Sequence, residues 1–375
     1  MNDVRSVVVK VGTSLLTPHL GEFDRSVAES VVGALADARK LGVEVTLVSS
    51  GAIGAGMSVL GMTERPGTLP LKQAAAAIGQ IPLMRMYREL FDRHGLRVAQ
   101  VLVTREGLDD RVKYLNLRNT FRALHQLGSV VPIVNENDTV AVEEIRFGDN
   151  DTLAARIAAK LDAELLVILT DTDGLYDMRA GAASEQARRL VEVVEKISPE
   201  IERMAGNTDA RESVGGMIAK IDAAHIATRS GVATVIANGR DPTALRRALR
   251  GERVGTYFVP ARQPITTRKR WIAFGASCRG GLVIDPGACE AILRHGKSLL
   301  PSGVVEVRGD FQVGAAVQVL RDDGGEIARG LVNYSSDEID KLRGHHTREI
   351  GAILGRKDYD EIIHRDNLAV LPDIE

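Results

Sequence analysis

The chain has 375 residues, with 48 Lys or Arg against 50 Asp or Glu, so its formal net charge is −2. Hydrophobic residues make up 44% of the chain and charged residues 26%, a balance that is typical of a folded globular protein and excludes a disordered chain. The near-neutral charge excludes a global electrostatic attraction to nucleic acid or to an anionic membrane. At roughly 100–200 residues per domain, the length predicts two or three domains.

The cysteine count bears on the compartment. Cys278 and Cys289 are too few for a disulfide framework, which favours a reducing, cytoplasmic location. No apolar stretch approaches the roughly 18 residues of a membrane span, so we expect no contact with a membrane.

The first 250 residues alternate between strand and helix patterns. Strands are predicted at residues 6–11, 43–49, 98–103, 130–134, 165–169 and 233–237. Helices are predicted at residues 24–41, 71–93, 111–127, 152–161 and 216–230, with one more after Asp241. This alternation predicts an α/β fold with a largely parallel sheet between layers of helices.

The pattern changes after about residue 250, where we place the end of a first domain, residues 1–260. Residues 261–277, with a basic run at 268–270, are predicted to be a linker. Residues 278–375 are predicted to form a small, mostly β domain. Its strands are predicted at 281–284, 304–307, 316–320 and 327–332, and its helices at 288–294 and near 336–343.

Two turns follow the first two predicted strands, and ligands of open parallel sheets bind at the carboxyl ends of strands. Lys10 and Gly12 belong to the first turn. A lysine there is costly unless it meets an anion, although this turn taken alone favours an ordinary lysine at a sheet edge. The second turn contains Ser50 and Gly51, and its small residues expose backbone N–H groups to an anion. The alternative for its glycines is close packing of the following helix on the sheet.

Acids and amides cluster at residues 135–138, after the fourth strand, and at 148–151, before the next helix. Such groups hold an ammonium or orient other charges. Helix capping by Asn150 or Asp151 is the alternative for one of them.

Two further segments complete the set of candidate residues. Thr170 and Asp171 end the strand at 165–169, and Gly215 and Gly216 precede a helix that carries Lys220. A lysine at a helix N-terminus suits a phosphate, although a solvated surface lysine is the alternative. The histidines and cysteines lack the spacing of metal ligands, so no metal site is predicted.

Together, these segments resemble the amino acid kinase family. The strings that carry the resemblance are VVVKVGTS (7–14), SSGAIGAG (49–56), PIVNENDTV (132–140), FGDNDTLAA (147–155), LTDTDGLY (169–176) and VGGMIAK (214–220). Their order is most similar to that of the members that phosphorylate L-glutamate. The later strings RKRWIAFG (268–275), ILRHGKSLLPSGV (292–304) and GHHTREI (344–350) resemble the PUA domain that many bacterial members carry.

The resemblance implies transfer of a phosphoryl group from ATP, with Mg²⁺ on its phosphates, to the γ-carboxylate of L-glutamate. It further implies feedback inhibition by proline and a homo-oligomer, a dimer or a tetramer. The implied catalytic residues are Lys10, Lys220 and Asp151. The implied substrate contacts are Ser50, Gly51, Asp138 and Asn150. The implied ATP contacts are Lys10, Gly12, Thr170, Asp171, Val214, Gly215, Gly216, Met217, Ile218, Ala219 and Lys220. Val214 departs from the family, in which a hydroxyl residue often stands there.

The implied reaction agrees with the absence of a nucleophile-and-base motif, because a carboxylate of pKa about 4.3 is already ionised at neutral pH. Another amino acid kinase, acting on aspartate, N-acetylglutamate or a carbamate, is the alternative enzyme. RNA binding by the second domain is a different alternative. Residues 278–375 contain 12 Lys or Arg and 17 Asp or Glu, a net of −5, which does not favour it.

Overall fold

The computed structural model describes residues 4–17, 23–141, 150–177, 189–206, 216–261, 269, 272–273 and 278–371. The chain divides into a first unit, Met1–Pro264, and a second unit, Ile265–Glu375. Most of the predicted linker lies outside the described residues. Two residues of it, Ile272 and Ala273, are buried against Ala369 within the second unit.

The first unit is built on an eight-stranded sheet. Its strands are β1 (Ser6–Val11), β2 (Glu44–Ser49), β3 (Arg97–Val103), β4 (Val130–Glu136), β5 (Leu165–Thr170), β8 (Val193–Val194), β9 (Ala233–Asn238) and β10 (Thr256–Phe258). Their order is β3-β4-β2-β1-β5-β9-β10-β8, and only the pairing of β9 with β10 is antiparallel. A separate hairpin joins β6 (Tyr176–Asp177) to β7 (Arg189–Leu190). The predicted, largely parallel sheet is confirmed.

Helices cover both faces of this sheet. They are α1 (Thr13–Leu16), α2 (Arg25–Lys40), α3 (Ala52–Val59), α4 (Leu69–Asp92), α5 (Arg105–Asp109), α6 (Arg111–Gln126), α7 (Asn150–Lys160), α8 (Pro199–Gly206), α9 (Met217–Arg229) and α10 (Ala244–Leu249). Since side chains alternate along a strand, Val7 and Val9 of β1 join the core beneath α2 and α4, whereas Val8 joins the core beneath α7 and α9. None of the described helices is long and apolar enough to cross a membrane.

Strand β4 is longer than predicted. Asn135 and Glu136, expected in the loop after it, belong to the strand and lie opposite Leu102 and Val103 of β3. Pairing with a neighbouring strand outweighs the low strand propensity of these polar residues. As a result, both side chains are buried at the carboxyl end of the sheet.

The second unit is a five-stranded sheet with helices, so the predicted mostly β domain is confirmed. Its elements are β11 (Gly281–Ile284), α11 (Pro286–His295), β12 (Val304–Arg308), β13 (Ala316–Leu320), β14 (Glu326–Leu331), α12 (Ser336–Leu342), α13 (Ile350–Leu354) and β15 (Leu368–Val370). The strand order is β12-β11-β13-β14-β15. Strand β15, which the sequence pattern did not indicate, pairs with β14 and closes that edge.

Helices α3 and α4 pack against each other through glycines. A Cβ atom on Gly79 would lie 1.8 Å from the carbonyl oxygen of Ala52, and one on Gly56 would lie 1.8 Å from that of Ala75. Both contacts are with backbone, which cannot move aside as a flexible side chain would. Close packing therefore explains Gly56, one of the glycines for which the sequence left this alternative open. The helix packs here on α4, however, and not on the sheet.

We expect Gly79→Ala to lower the free energy of unfolding by about 1–3 kcal/mol, because the added methyl group forces two helices apart. Gly67→Ala is the control, since no heavy atom lies within 4 Å of its added Cβ. Urea denaturation of the two variants measures the difference. Equal stability of both variants would contradict the close approach of α3 and α4.

Candidate active site

A buried carboxylate between two lysines lies at the carboxyl end of the sheet. Nζ of Lys10 is 2.5 Å from Oδ1 of Asp151, and Nζ of Lys220 is 3.1 Å from Oδ2 of the same residue. The three side chains are 7%, 0% and 9% exposed in the order Lys10, Asp151, Lys220. The readings of Lys10 as an ordinary edge lysine and of Lys220 as a solvated surface lysine are therefore wrong.

The positions of these residues follow from local structure. Lys10 lies on the same face of β1 as Val8, the face on which α7 and α9 pack. Asp151 is in the first turn of α7, and Lys220 is the fourth residue of α9, after Gly216 at the N-cap position. The N-terminal end of α7 itself favours a carboxylate.

The charges of Lys10, Asp151 and Lys220 do not cancel. Burial alone raises the pKa of Asp151, but the adjacent charges of Lys10 and Lys220 offset this and lower its pKa below the ordinary value. With Asp151 ionised, two ammonium groups and one carboxylate leave a net charge of +1. Within this group of three side chains, the net positive charge favours an anionic ligand at the ends of the strands.

A cluster of amides and hydroxyls lies next to the lysines. Nδ2 of Asn150 lies 2.9 Å from the carbonyl oxygen of Ser49, from Oγ of Ser50 and from Oδ1 of Asn135. Asn150 and Asp151 both lie inside α7, so these side-chain contacts, rather than capping, account for their burial. Adjacent helix residues point in directions about 100° apart, which sends Asn150 towards β2 and β4 and Asp151 towards β1 and α9.

Asn135 belongs to the segment 135–138 that the sequence singled out, but it was given no individual role there. It is 4% exposed, and its Oδ1 accepts hydrogen bonds from Asn150 and from the N–H of Glu136. Its Nδ2 has no hydrogen-bond partner among the described residues. A buried donor without a partner is costly unless a ligand or a water molecule accepts its hydrogen bond. The extension of β4 past Val134 is what brings Asn135 into the site.

Asp138 lies in the turn after β4 and is partly buried. Burial raises the pKa of its carboxyl group to about 6. A partner cation would restore the ordinary value by stabilising the ionised form. The electrostatics of Asp138 therefore suit a ligand that carries a positive group.

Two turns present backbone donors at the same end of the sheet. Gly12 is the N-cap of α1, and Gly51 begins α3 with a φ of +99°, a conformation that favours glycine. The N–H groups of Gly12 and Gly51 have no hydrogen-bond partner in the part of the chain that the structure describes. Both groups are therefore available to an anion.

The family model for the amino acid kinase family matches residues 5–238, and the model for the PUA domain matches residues 280–354. The chain belongs to the amino acid kinase family. It is an ATP-dependent kinase with a PUA domain in its second unit. Among solved structures, a UMP kinase from Bacillus anthracis covers 68% of this chain and 96% of its own, with 14% identity and a TM-score of 0.45, which is too low to support an inference.

Curated relatives match nearly the whole chain. A protein of Caldanaerobacter subterraneus subsp. tengcongensis named glutamate 5-kinase is 50% identical over 97% of this chain and 97% of its own. A protein of Moorella thermoacetica with the same name is 51% identical over 99% of this chain and 97% of its own. A third, from Geobacter sulfurreducens, is 47% identical over 99% of both chains.

The remaining predicted ATP contacts of this amino acid kinase lie on β5 and α9. Thr170 is buried and donates from Oγ1 to Oδ1 of the exposed Asp171. Met217 is buried and Ile218 is 55% exposed in the first turn of α9, followed by Ala219. Val214 and Gly215 lie outside the described residues.

The described residues contain no preformed protein cage for a metal ion. Residues 4–17, 23–141, 150–177, 189–206, 216–261 and 278–371 hold no group of three His, Cys, Asp or Glu side chains that could bind one. In enzymes that use ATP, Mg²⁺ is commonly bound by one or two carboxylates together with the phosphates of the nucleotide.

Proposed function

We propose that this kinase transfers the γ-phosphoryl group of ATP to the γ-carboxylate of L-glutamate, which gives γ-glutamyl phosphate, the first step of proline biosynthesis. The observation that carries the proposal is the pair of buried lysines held by Asp151 beside a cluster of amides. The names of the full-length relatives support glutamate as the acceptor.

The central physical problem of this reaction is repulsion between two anions. The γ-carboxylate of glutamate is ionised at neutral pH and needs no general base. The surplus charge of Lys10 and Lys220 offsets the repulsion, and Asp151 fixes the two ammonium groups 2.5 and 3.1 Å from its own oxygens. The N–H groups of Gly12 and Gly51 add dipoles. Mg²⁺ bound to ATP would neutralise further charge on the phosphates.

The other end of the site is suited to the α groups of an amino acid. Asp138 supplies a carboxylate for the α-ammonium, and burial has already destabilised its unpaired charge. Ser50, Asn135 and Asn150 supply hydroxyl and amide groups for oxygens of the substrate. We assign Thr170, Asp171 and the start of α9 to binding of the nucleotide.

The direct test is ATP-dependent acyl phosphate formation, trapped with hydroxylamine as the hydroxamate. We expect product with L-glutamate and at least tenfold less with aspartate, N-acetylglutamate or carbamate at equal concentration. If the protein instead forms more product with one of these three substrates, that substrate is its phosphoryl acceptor and the proposal of glutamate is wrong.

We expect Lys10→Ala and Lys220→Ala each to lower kcat by about 10²-fold or more, because each removes charge that acts on the transferring phosphoryl group. ATP binding should persist, although weakened. Lys160→Ala is the matched control: Lys160 is a partly buried lysine at the opposite end of α7, with Nζ 4.5 Å from the ring centre of Tyr114. Steady-state kinetics measures kcat for the three variants. If Lys10→Ala or Lys220→Ala has the same kcat as Lys160→Ala, the lysine that was replaced has no role in catalysis.

We expect the glutamate KM to rise about tenfold as the pH falls from 7 to 5, while the ATP KM changes little. The cause is protonation of Asp138, whose pKa is raised to about 6, so that the carboxylate available to the substrate ammonium is lost as the pH falls through that value. Asp138→Asn should raise the glutamate KM at pH 7 and abolish this pH dependence.

Asp109→Asn is the control for that pH profile. Burial likewise raises the pKa of Asp109, but its carboxylate pairs with Arg156, 2.8 Å away. This variant should keep the pH dependence of the wild-type protein. An unchanged profile in Asp138→Asn would contradict the assignment of Asp138 to the ammonium.

We further propose that proline inhibits this enzyme in competition with glutamate, because proline carries the same α-carboxylate and an ammonium but no γ-carboxylate to accept a phosphoryl group. Steady-state kinetics should show proline raising the glutamate KM without changing kcat, with the ATP KM nearly constant. Asp138→Asn should weaken inhibition together with glutamate binding. Inhibition that is competitive with ATP alone would contradict a shared site.

A homo-oligomer, a dimer or a tetramer, is supported by the exposed edge of the first unit. Strand β3 is the last strand of the sheet, and Leu102 on it and Ile81 on α4 are 39% and 74% exposed. Unpaired edges and exposed apolar side chains are commonly covered by another chain. Sedimentation equilibrium measures the oligomeric state, and a monomer at micromolar concentration would overturn this proposal.

The second unit and the location complete the assignment. The net charge of −5 over residues 278–375 does not favour RNA as a ligand of the PUA domain, and filter binding at increasing salt concentration tests this.

Both cysteines are free, which supports a reducing, cytoplasmic location, and fractionation of the source cell tests this location.

A further inference from the structure

A tyrosine in the core contacts the turn that presents Gly51. Tyr87 of α4 is fully buried, and its Oη lies 2.9 Å from Oγ of Ser49, the last residue of β2. Ser49 is itself fully buried and immediately precedes Ser50 and Gly51. The hydroxyl of Tyr87 is thus the link between α4 and the loop of the proposed substrate site.

The direction of these hydrogen bonds follows from counting protons. Oγ of Ser49 lies 3.1 Å from the carbonyl oxygen of Ser50, which can only accept. Since the serine hydroxyl has one proton, its donation to that carbonyl leaves Tyr87 as the donor to Ser49. The chain of donors therefore runs from Tyr87 to Ser49 and on to the carbonyl of Ser50.

This chain fixes a peptide group of the proposed site. In a trans peptide, the C=O and the following N–H point in opposite directions. Holding the carbonyl of Ser50 against Ser49 therefore turns the N–H of Gly51 away from the core. That N–H has no partner among the described residues, and it belongs to the turn whose other side is held by Asn150.

We propose that Tyr87 is a positioning residue, which acts through Ser49 to aim the N–H of Gly51 at the oxygen that carries negative charge during phosphoryl transfer. The inference rests on the proposed function, since it assigns that oxygen to the reacting carboxylate or phosphoryl group. A donor that is held in place before the reaction stabilises the transition state without first having to reorient.

The hydroxyl is separable from the packing of the ring. The ring of Tyr87 lies in the main core of the first unit, where a phenylalanine ring would fill the same space. Tyr87→Phe removes the donor to Ser49, so the serine hydroxyl is no longer held in the orientation that donates to the carbonyl of Ser50. The variant therefore tests the orientation of the turn rather than the integrity of the core.

We expect Tyr87→Phe to lower kcat about tenfold with hydroxamate trapping as the assay, and to change the KM for glutamate and for ATP less than twofold. Tyr114→Phe is the matched control, because Oη of this buried tyrosine also donates a hydrogen bond, to the carbonyl oxygen of Lys160 at the far end of α7. It should keep the wild-type kcat. Thermal unfolding of the two variants should agree.

A double-mutant cycle tests the route through Ser49. Ser49→Ala should lower kcat at least as much as Tyr87→Phe, and the double variant should be no worse than Ser49→Ala alone, because both changes break one chain. Additive losses would overturn the route, and a Tyr87→Phe variant with the kcat of Tyr114→Phe would overturn the role of Tyr87. Failure of the wild-type protein to phosphorylate glutamate would instead overturn the proposed function.

Discussion

The pairing of one buried carboxylate with two lysines is the constraint on which the site depends. Several kcal/mol are needed to bury each charge, so Asp151, Lys10 and Lys220 are stable only while they remain in contact. Their contact requires β1, α7 and α9 to meet at one end of the sheet. The charged cluster is therefore complete only when these three elements pack together, and burial limits the movement of both lysines.

The parallel sheet explains why residues distant in sequence act together. Every strand from β1 to β5 and β9 runs the same way, so the segments that follow them lie at one edge. Lys10, Asp151 and Lys220 meet where β1, α7 and α9 come together, whereas amides, hydroxyls and the carboxylate of Asp138 lie at the ends of β2 and β4. In the proposed reaction, this separation places cationic groups near the phosphates and places neutral polar groups, together with the carboxylate of Asp138, near the amino acid.

The glycine turn after β2 joins these two regions. Gly51 needs its left-handed backbone for the turn, and Gly56 needs the absence of a side chain for the approach of α4. The approach of α4 in turn brings Tyr87 to Ser49. Helix packing and the orientation of a backbone donor are consequently parts of one arrangement, which gives the apolar helix α4 a role in the site that its sequence alone does not indicate.

The sequence by itself determined the α/β class, the parallel sheet, the mostly β second unit and the family, because periodicity and short strings of local residues carry these features. It also selected Lys10, Asp151 and Lys220, but it left open whether Lys10 and Lys220 were exposed. Only the tertiary structure decided that they are buried in contact with Asp151.

The sequence placed Asn135 in a loop without an individual role and did not single out Tyr87, for two physical reasons. Strand pairing with β3 extended β4 beyond the point where residue preferences would end it, and this brought Asn135 into the site. Tyr87 belongs to the core by its pattern, and nothing local distinguishes a buried ring from one whose hydroxyl meets Ser49. Contacts between residues far apart in the chain depend on how elements pack, and that information lies in the tertiary structure rather than in any one segment.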